Sequence, residues 1–454
     1  MKKFDAIIIG TGQAGVPLAK ALAEQGWKLA VLEHGFLGGS CVNYGCTPTK
    51  AMVATARRAY VAADSSAHGL MTRLDKVDLP KIVARKDQIV QSFRGSVERK
   101  LSHENITLYR TTGKFVGTYL IQAGDEVIEG KRIFLNTGQS PLIPDTPGLA
   151  EVPYLTSTEI LDLKELPRHL LVMGGGYVGL EFAQMFRRFG SKVTVVQRGG
   201  MLAKTEDPDI EQELRKVLES EGVKILLNSD TKKVGKKGGD VVLTLDSEGK
   251  SKIISGSHLL VATGRKPNTE ELNLGKAGID HDKRGYIKVN EKLETNVPNI
   301  YGLGDIRGGP AFTHTSYNDY EIVYRNLVLG ENVTMNDRVL VYAMFIDPSL
   351  GRAGLTEREA KEQGYDYVVA EYPMEWVARA IELGETSGKM KMIIDKKTER
   401  ILGAAILGYE GAELIQVVAA YMNAGASYKV VQRAITIHPT LAEGIQSLAL
   451  QIKP

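Results

Sequence analysis

The chain of 454 residues is long enough for several domains with their own cores, because single cores stop growing near about 250–300 residues. Hydrophobic residues make up 43% and charged residues 24% of the chain, which is ordinary for a globular protein and excludes a disordered, fibrous or membrane-embedded one. The net charge of +3 arises from basic and acidic residues mixed along the chain, so we expect small-molecule partners and neither nucleic acid nor membrane.

The first ten residues contain two lysines and a short apolar run that soon meets glycines, without a cleavage-site pattern. Apolar stretches stay well short of the ~18 residues that a membrane-spanning helix needs. The 2 cysteines are far fewer than a disulfide-stapled secreted scaffold requires. A cytoplasmic protein is therefore expected.

The chain opens with the pattern of a dinucleotide-binding motif. Residues 4–9 predict a strand, GTGQAG (10–15) a glycine turn that leads into a helix, and residues 28–33 a second strand. In such a motif the glycines permit a tight turn, close approach of the backbone to a pyrophosphate, and close packing of helix on strand. Glu33 ends the second strand, where it is placed to accept a hydrogen bond from a ribose hydroxyl.

The same motif recurs later with the same spacing. A strand is predicted at 169–173, a turn and helix start at GGGYVGLE (174–181), and a strand at 192–196. Each motif later closes with a strand that ends in Thr-Gly, in FLNTGQ (134–139) and LVATGR (260–265). At one constant offset, the matching pairs are Gly10 and Gly174, Gly12 and Gly176, Gly15 and Gly179, Gly26 and Gly190, Lys28 and Lys192, and Glu33 and Gln197. Two dinucleotide-binding domains are predicted, and the repetition disfavours turns that bind nothing.

Both cysteines lie in GGSCVNYGCTPTK (38–50), directly after the first motif. Two ordinary buried cysteines or half of a zinc site are alternatives, but zinc needs more ligands and the 8 histidines are scattered. The glycines before Cys41 lead into a helix and Lys50 could supply a cation, both of which favour a thiolate. Pro48 is expected to interrupt a helix that carries Cys46, and such a distorted helix would bring the two sulfurs within bonding range. The pair predicts a redox centre, with no resident metal.

These motifs resemble those of the FAD-dependent pyridine nucleotide-disulfide oxidoreductases, which include dihydrolipoamide dehydrogenase, glutathione reductase and mercuric reductase. The resemblance covers nearly the whole chain and is most specific in GGSCVNYGCTPTK, NIYGLGDIRGG (299–309) and TIHPTLAEG (436–444). It implies an α/β fold with two Rossmann-like domains, for FAD and NAD(P), and a C-terminal α+β dimerisation domain. The implied boundaries are 1–147 with 267–335 for a split FAD domain, 148–266 for the NAD(P) domain and 336–454 for the dimerisation domain.

The resemblance also implies roles for single residues. FAD is expected to contact Gly10, Gly12, Gly15, Glu33, Thr137, Gly138 and Asp305. The nicotinamide dinucleotide is expected to contact Gly174, Gly176, Gly179, Gln197, Arg198 and Gly264, with Tyr177 as a gate over the flavin. Lys50 and Glu181 match a pair that the family places near the reactive nitrogen of the flavin. Cys46 would face the flavin, and Cys41 would attack the substrate.

His438 and Glu443 lie in the last third, where the strand pair 389–394 and 401–407 with following helices resembles the dimerisation domain. A lone His-Pro pair at a helix start is more often a cap or a packing residue. Beside a cysteine pair, the resemblance implies an acid-base histidine and its orienting carboxylate, contributed across a homodimer to the dithiol of the other subunit. The implied mechanism is hydride transfer to the flavin, reduction of the disulfide, and attack by the Cys41 thiolate while the histidine shuttles a proton.

The second motif departs from the first in a way that favours NADP over NAD. Gln197 replaces the carboxylate of Glu33, Arg198 follows it and Lys204 lies near, so a 2′-phosphate would meet cations. Solvated loop charges are the alternative. The lysines around a later Gly-Gly pair are expected to form only a solvated hairpin tip: Lys232, Lys233, Lys236 and Lys237.

The electron acceptor is expected to be a disulfide or a metal ion, since one fold supports several chemistries. The chain resembles mercuric reductase in the dithiol and in ARAIELGETSGKMK (378–391), but its last residues, QSLALQIKP, lack that enzyme's cysteine pair, and an amino-terminal metal-binding domain is not expected. Efficient mercury reduction is therefore not expected. The form of GDIRGGPAFTHTSYNDY (304–320) favours the mercuric-reductase-like subgroup that contains the reactive-chlorine-resistance flavoprotein.

Three alternatives stay open. Dihydrolipoamide dehydrogenase resembles the chain in HPTLAE, although Thr436 stands where that enzyme usually has a second histidine. A flavin oxidase or transhydrogenase would make the cysteines incidental. A non-catalytic redox-sensing flavoprotein would keep the fold for binding alone.

Overall fold

The computed structural model describes residues 1–453. The helices are α1 (Gly15–Glu24), α2 (Gly39–Asn43), α3 (Cys46–Ala63), α4 (Leu79–Leu101), α5 (Tyr177–Phe189), α6 (Pro208–Ser220), α7 (Thr313–Leu327), α8 (Glu357–Glu362), α9 (Ala378–Leu383), α10 (Gly411–Asn423), α11 (Tyr428–Arg433) and α12 (Glu443–Leu450). The strands are β1 (Lys2–Ile9), β2 (Leu29–Leu32), β3 (Ile106–Tyr109), β4 (Gly113–Gly117), β5 (Leu120–Ala123), β6 (Glu126–Leu135), β7 (Gln139–Pro141), β8 (His169–Met173), β9 (Lys192–Val196), β10 (Lys224–Leu226), β11 (Ser229–Lys237), β12 (Asp240–Ser247), β13 (Lys250–Gly256), β14 (His258–Val261), β15 (Arg265–Pro267), β16 (Ile300–Gly302), β17 (Val341–Met344), β18 (Ser349–Gly354), β19 (Tyr367–Pro373), β20 (Lys389–Asp395) and β21 (Ile401–Gly408).

The fold is α/β, as predicted, and the chain forms two compact units. The first unit comprises Met1–Ala51, Val83–Leu142 and Gly264–Arg338. The second unit comprises Met52–Ile82, Ile143–Thr263 and the described residues from Val339 onward. Each unit contains one of the dinucleotide motifs, while the predicted domain boundaries stay a prediction.

The main sheet of the first unit has the strand order β3-β2-β1-β6-β5-β4, with β16 paired to β6. Strands β3, β2, β1, β6 and β16 run parallel to one another. Strand β5 is antiparallel to both of its neighbours, β6 and β4. Successive residues of β1 face opposite cores: Ile8 packs with Leu18 of α1 and Ile322 of α7, while Ile7 packs with Phe115. Because both faces are covered, the strand reads as a continuous apolar run.

The second unit contains a parallel sheet of order β10-β9-β8-β14, and the predicted strands 169–173 and 192–196 are confirmed. An antiparallel sheet of order β11-β12-β13 packs its apolar face, including Leu243, against residues such as Leu171 of the parallel sheet. Lys237 pairs with Asp240, so the Gly-Gly pair forms the hairpin tip as predicted.

The last third forms the antiparallel sheet β17-β18-β21-β20-β19 in the second unit. Met392 and Ile406 of this sheet share one apolar core with Ile415 of α10 and Leu448 of α12. The predicted strand pair 389–394 and 401–407 is confirmed as β20 and β21. Within residues 1–453, none of the helices combines the length and the apolar character that crossing a bilayer requires.

The expectation that Pro48 interrupts a helix was wrong. Helix α3 begins at Cys46, so Pro48 lies in its first turn, and the helix continues to Ala63. Proline is tolerated there because the amide that it lacks has no partner within the helix in the first turn.

Candidate active site

The first glycine turn depends on backbone contacts that exclude any side chain. Gly10 has φ 99°, and a Cβ on it would collide with the carbonyl group of Asn136. A Cβ on Gly15, the first residue of α1, would collide with the carbonyl oxygen of Gly10. Asn136 itself is buried, accepts a hydrogen bond from Gly15 N (3.0 Å) and donates to Leu303 O (2.8 Å). This side chain therefore links the turn to the end of β16.

The groups around this turn fit the pyrophosphate and ribose of FAD. The residue before α1, Ala14, provides no side-chain cap, and Asn136 engages only the first amide of the helix, at Gly15; the positive end of the helix dipole favours a phosphate here. Glu33 holds the turn from the end of β2: its carboxylate accepts from Thr11 N (3.0 Å), Thr11 Oγ1 (2.8 Å) and Gly35 N (2.9 Å). A glycine cradle at a helix start with an adjacent carboxylate matches an adenosine diphosphate group.

The second glycine turn repeats this geometry. Gly174 has φ 113°, and a Cβ on it would collide with the carbonyl group of Ala262. Helix α5 also lacks a side-chain cap in the described structure. Gln197 takes the position of Glu33: its Oε1 accepts from Gly175 N (3.0 Å), and its Nε2 donates to Met201 O (3.1 Å). The side-chain amide of Gln197 thus fixes the second turn by hydrogen bonds, as Glu33 fixes the first, but it carries no charge.

The exposed side chain of Arg198 lies near a further cation beside the second turn. The hydrogen bond to Asp230 raises the pKa of Lys232, and the positive charge of Arg198 opposes that rise. Lys232 is exposed and pairs with Asp230 (2.7 Å), as expected for a solvated charge. The additional effect of Arg198 on Lys232 could not be read from sequence spacing, because tertiary structure brings β11 near Arg198.

A cavity of about 470 Å³ in the second unit is lined by Arg168, His169, Lys192 and Lys224 among others. These residues lie at the amino ends of β8, β9 and β10. Dinucleotides bind at the carboxyl ends of parallel strands, where the glycine turns lie. The cavity is therefore separate from the predicted dinucleotide site.

The two thiols are neighbours at the junction of α2 and α3. Cys41 lies within α2, and Cys46 is the first residue of α3. Hydrogen bonding to Cys46 and burial raise the pKa of the Cys41 thiol, while Thr313 and Lys50 oppose the rise. Cys46 Sγ lies 3.1 Å from Thr313 Oγ1, at the start of α7. Thr313 was quoted within a motif in the sequence but given no role, and its contact with the sulfur is set by tertiary structure.

The loop that carries the dithiol packs directly on the first glycine turn. A Cβ on Gly39 would lie 2.8 Å from the Cα of Gly12, so only glycine permits this approach. Gly38 N donates to Thr11 Oγ1 (3.2 Å), and Asn43 Nδ2 donates to Gly39 O (2.8 Å). The two cysteines are therefore held in a fixed position beside the turn.

Asp305 lies just after β16 in the first unit. Burial raises the pKa of Asp305, while Arg265 and Arg307 oppose the rise. Its segment is held by Asp319, which is 0% exposed and accepts hydrogen bonds from Gly304 N (2.8 Å) and from Arg307 Nε (2.8 Å). Asp319 was not predicted, since nothing in its spacing distinguishes it from the other acidic residues of a helix.

Thr137 and Gly138 follow β6, and Gly264 follows β14. Thr137 Oγ1 donates to Asn268 O (2.8 Å), and Gly138 O accepts from Asn268 N (3.0 Å). Gly264 O accepts from Leu142 N (2.9 Å). These bonds fix the backbone at the strand ends, and contact of the three residues with a cofactor stays a prediction.

Tyr177 and Glu181 lie on α5 in the second unit. The Tyr177 hydroxyl contacts Thr205 Oγ1 (3.1 Å) and donates to the carboxylate of Glu206. Glu181 is buried, and its Oε1 accepts from Phe345 N (2.8 Å). The predicted pairing of Glu181 with Lys50 stays a prediction.

His438 and Glu443 form a hydrogen-bonded pair on the surface of the second unit. The Nδ1 atom of His438 lies 2.9 Å from Glu443 Oε2, and the histidine side chain is 67% exposed. Two apolar neighbours, Ile435 and Ile437, are 102% and 79% exposed. Exposed apolar side chains of this kind are typical of a surface that another protein covers, and the acid-base role of His438 stays a prediction. Among residues 1–453, no cluster of three or more His, Cys, Asp or Glu side chains is arranged to hold a metal ion.

Comparison with known proteins places these features in a family. Residues 4–319 match the pyridine nucleotide-disulphide oxidoreductases, and residues 341–449 match the dimerisation domain of that family. The chain is 36% identical over 463 residues to the probable pyridine nucleotide-disulfide oxidoreductase RclA of Escherichia coli (strain K12), with 100% of both chains covered. It is 33% identical over 448 residues to the mercuric reductase of Lysinibacillus sphaericus, covering 98% of this chain and 82% of that protein.

A solved structure shares the fold over almost the full length. It is described as the Cu(II) complex of HOCl-induced flavoprotein disulfide reductase RclA from Escherichia coli. The TM-score is 0.90 at 35% sequence identity, with 99% of this chain and 100% of that chain covered.

Proposed function

Since the chain belongs to the pyridine nucleotide-disulfide oxidoreductase family, we propose that it reduces an external disulfide or metal ion through Cys41 and Cys46, with NADPH as the electron donor. The family uses FAD and a nicotinamide dinucleotide. FAD, when bound, supplies an isoalloxazine that accepts a hydride from the nicotinamide and passes two electrons to a disulfide. The residues that would hold it are the glycines of the first turn, Glu33 and Asp305.

The observation that carries this proposal is the adjacency of the two thiols. Their mutual hydrogen bond is the largest contribution to the raised pKa of Cys41. Oxidation of the pair to a disulfide releases two electrons and two protons, which suffice for one acceptor disulfide or for two Cu(II) ions reduced to Cu(I). Thr313 Oγ1, 3.1 Å from Cys46 Sγ, can donate to a thiolate at Cys46 and stabilise it.

His438 is proposed as the acid-base group, acting on Cys41 of the other subunit in a homodimer. Its Nδ1 is engaged by Glu443, so its Nε2 is left to take up and return a proton. The carboxylate fixes the ring orientation and stabilises the protonated ring. The exposed isoleucines on either side of Thr436 supply an apolar surface that a second subunit would cover.

NADPH is favoured over NADH because of the second turn. Gln197 Oε1 is engaged by Gly175 N, and its Nε2 is a donor where Glu33 presents only acceptors. A ribose 2′-hydroxyl thus loses a charged acceptor, while a 2′-phosphate meets no negative charge from this residue. The positive charges of Arg198 and Lys232 add attraction for the phosphate.

Cu(II) is the metal ion that we propose to test first, because the solved relative is described as a Cu(II) complex. Mercury is the second, because mercuric reductases are relatives over nearly the whole chain. We propose a cytoplasmic location, where thiols stay reduced.

The proposal is tested by anaerobic titration with NADPH followed by thiol counting. In the wild type, NADPH should produce a long-wavelength thiolate-to-flavin absorption band and two additional reactive thiols. The substitution Cys46→Ser should abolish the band, and Cys41→Ser should abolish turnover while the band remains. Ser40→Ala, in the same loop, is the matched control.

Initial rates with lipoamide, oxidised glutathione, Cu(II) and Hg(II) then identify the acceptor class. A hundredfold preference for lipoamide would favour the dihydrolipoamide dehydrogenase alternative. Undiminished turnover of Cys41→Ser would contradict the proposal and support a flavin oxidase or transhydrogenase. Protein that binds no flavin after reconstitution would contradict every enzymic alternative.

A further inference from the structure

A carboxylate that the sequence motifs did not mark lies beside the predicted gate residue. Glu206 lies in the loop between β9 and α6, and its side chain is 0% exposed. A buried carboxylate is unfavourable unless its charge and its lone pairs are satisfied. The contacts of Glu206 therefore have to account for both of its oxygens.

One oxygen of Glu206 is neutralised by a buried arginine. Arg352 of β18 is 1% exposed and donates from Nε to Glu206 Oε2 at 2.7 Å. The same guanidinium donates from Nη2 to Asp207 Oδ2 at 3.1 Å. This ion pair fixes the carboxylate and directs its other oxygen away from the arginine.

The other oxygen of Glu206 accepts from two tyrosine hydroxyls. Tyr342 donates to Glu206 Oε1 at 2.9 Å, and Tyr177 donates to the same atom. The centroids of the two rings are 5.8 Å apart. Burial and the charge of Glu206 raise the pKa of both tyrosines, so both hydroxyls keep their protons and act as donors.

From this arrangement we propose that Glu206 is a positioning residue for Tyr177, whose hydroxyl it holds in competition with Tyr342. The inference rests on the proposed function and on the expected role of Tyr177 as a gate over the flavin. Tyr177 directly follows Gly176 of the second turn, beside the predicted dinucleotide site. Rotation of the Tyr177 side chain would break its hydrogen bond to Glu206. Tyr342 and Arg352 remain on the carboxylate when Tyr177 leaves, so Glu206 is not left unpaired and the gate opens at a low cost.

The arrangement predicts changes of opposite sign in dinucleotide affinity. Tyr177→Phe removes the held hydroxyl, so NADP⁺ should bind three- to tenfold more tightly to the holoenzyme in titration calorimetry. Tyr342→Phe leaves Glu206 Oε1 to Tyr177 alone, so NADP⁺ should bind three- to tenfold more weakly. The KM for NADPH should follow the same two directions.

A double-mutant cycle separates positioning from a general structural role. Glu206→Gln should alter NADP⁺ affinity when Tyr177 is present and have no further effect in the Tyr177→Phe protein. Tyr367→Phe is the matched control, because Tyr367 also donates to a glutamate of the second unit, Glu357 (3.3 Å), and should leave the affinity unchanged. If Glu206→Gln does not fold, the two tyrosine variants decide the question by themselves.

Two outcomes would overturn the inference: equal effects of Glu206→Gln with and without the Tyr177 hydroxyl, or changes of the same sign in Tyr177→Phe and Tyr342→Phe. Failure of the wild type to bind NADP⁺ or NADPH would instead contradict the proposed function. Wild-type binding without coupling between the two residues would contradict this inference alone.

Discussion

The two glycine turns share a backbone geometry but differ in what surrounds their middle glycine. A Cβ on Gly12 would lie 2.6 Å from Asn136 Oδ1, whereas a Cβ on Gly176 would meet no described atom within 4 Å. The first turn has the buried amide of Asn136, which binds Gly15 and Leu303, and the second has Ala262 in the corresponding place. One motif thus yields a tightly enclosed turn and an open turn. That contrast matches a resident cofactor in the first unit and an exchanging dinucleotide in the second.

Glu33, just after β2, and Gln197, just after β9, also differ in their hydrogen bonds. Both carboxylate oxygens of Glu33 accept hydrogen bonds from the protein, from Thr11 and from Gly35. Gln197 makes one such bond as an acceptor, from Gly175 N, and one as a donor, to Met201 O. Glu33 and Gln197 therefore make similar hydrogen bonds to the backbone of their turns but differ in charge. This difference in charge is expected to affect the binding of a ribose hydroxyl or a 2′-phosphate.

The largest expected effect comes from placing a methyl group in each turn. Gly12→Ala puts a Cβ 2.6 Å from the buried Oδ1 of Asn136, so we expect loss of most bound FAD and a destabilisation of several kcal/mol, about 2–5. Gly176→Ala should keep the FAD content and the thermal midpoint, and it should raise only the KM for the dinucleotide. Flavin absorbance per protein and thermal unfolding measure both.

The control for this pair is Gly275→Ala, because a Cβ there has open space. Full flavin content in Gly12→Ala would contradict the distinction between an enclosed and an open turn. Loss of flavin in Gly176→Ala would contradict the same distinction.

An intermediate effect is expected from exchanging the charge between the turns. Gln197→Glu places a carboxylate against Met201 O and near a 2′-phosphate, so the preference for NADPH over NADH should fall at least tenfold, about 1.4 kcal/mol. Glu33→Gln should lower FAD retention, since an amide offers one acceptor atom fewer, without changing the dinucleotide preference. The ratio of kcat/KM for the two dinucleotides measures the exchange.

Lys237→Gln, at the hairpin tip, should leave that ratio unchanged and serves as the control. An unchanged ratio in Gln197→Glu would show that Gln197 does not read the ribose, and the difference between the two turns would then lie in shape alone.

The smallest expected effect concerns the pH dependence of two partly buried carboxylates, one in each unit. Burial opposes ionisation of Asp209, but hydrogen bonds from Lys389 and Lys391 outweigh it and lower the pKa of Asp209 to about 2. Because this pKa is depressed, the stabilisation is present above the unfolded pKa of 3.8 and is lost as the pH falls towards 2. Because solvent screens this partly exposed group, Asp209→Asn should cost about 1 kcal/mol of unfolding free energy at neutral pH.

Urea unfolding at pH 7 and at lower pH checks this sign, because the difference between wild type and Asp209→Asn should shrink below pH 4. Asp305, with its raised pKa, should behave in the opposite way: Asp305→Asn should stabilise the flavin-free protein at pH 7, and the gain should vanish as the pH falls. A difference for Asp209→Asn that is independent of pH would contradict the assignment.

Much of the site could be read from the sequence because its requirements are local. The turns at Gly10 and Gly174 need positive φ, and the strands before them need apolar runs that are buried on both faces. The spacing between Cys41 and Cys46 places one thiol within the short helix α2 and the other at the start of α3. Such features depend on a few neighbouring residues, so the pattern along the chain carries them.

The partners of buried polar groups could not be read in the same way. Pro48 was expected to break a helix and instead lies in its first turn, because the helix starts at Cys46. Thr313 was quoted without a role, although its hydroxyl lies beside the Cys46 sulfur. Glu206 and Asp319 were not singled out among the acidic residues of the chain, and each is buried with arginine partners.

The sequence by itself determined the fold class, the two dinucleotide motifs, the redox pair and the resemblance to a family. Only the tertiary structure decided that Asn136 encloses one turn, that Arg198 lies near Lys232, and that Glu206 holds Tyr177. The physical reason is that a backbone conformation is selected by steric preferences within a few residues. A buried donor or acceptor, in contrast, must find its partner among whatever groups the fold brings to it from distant parts of the chain.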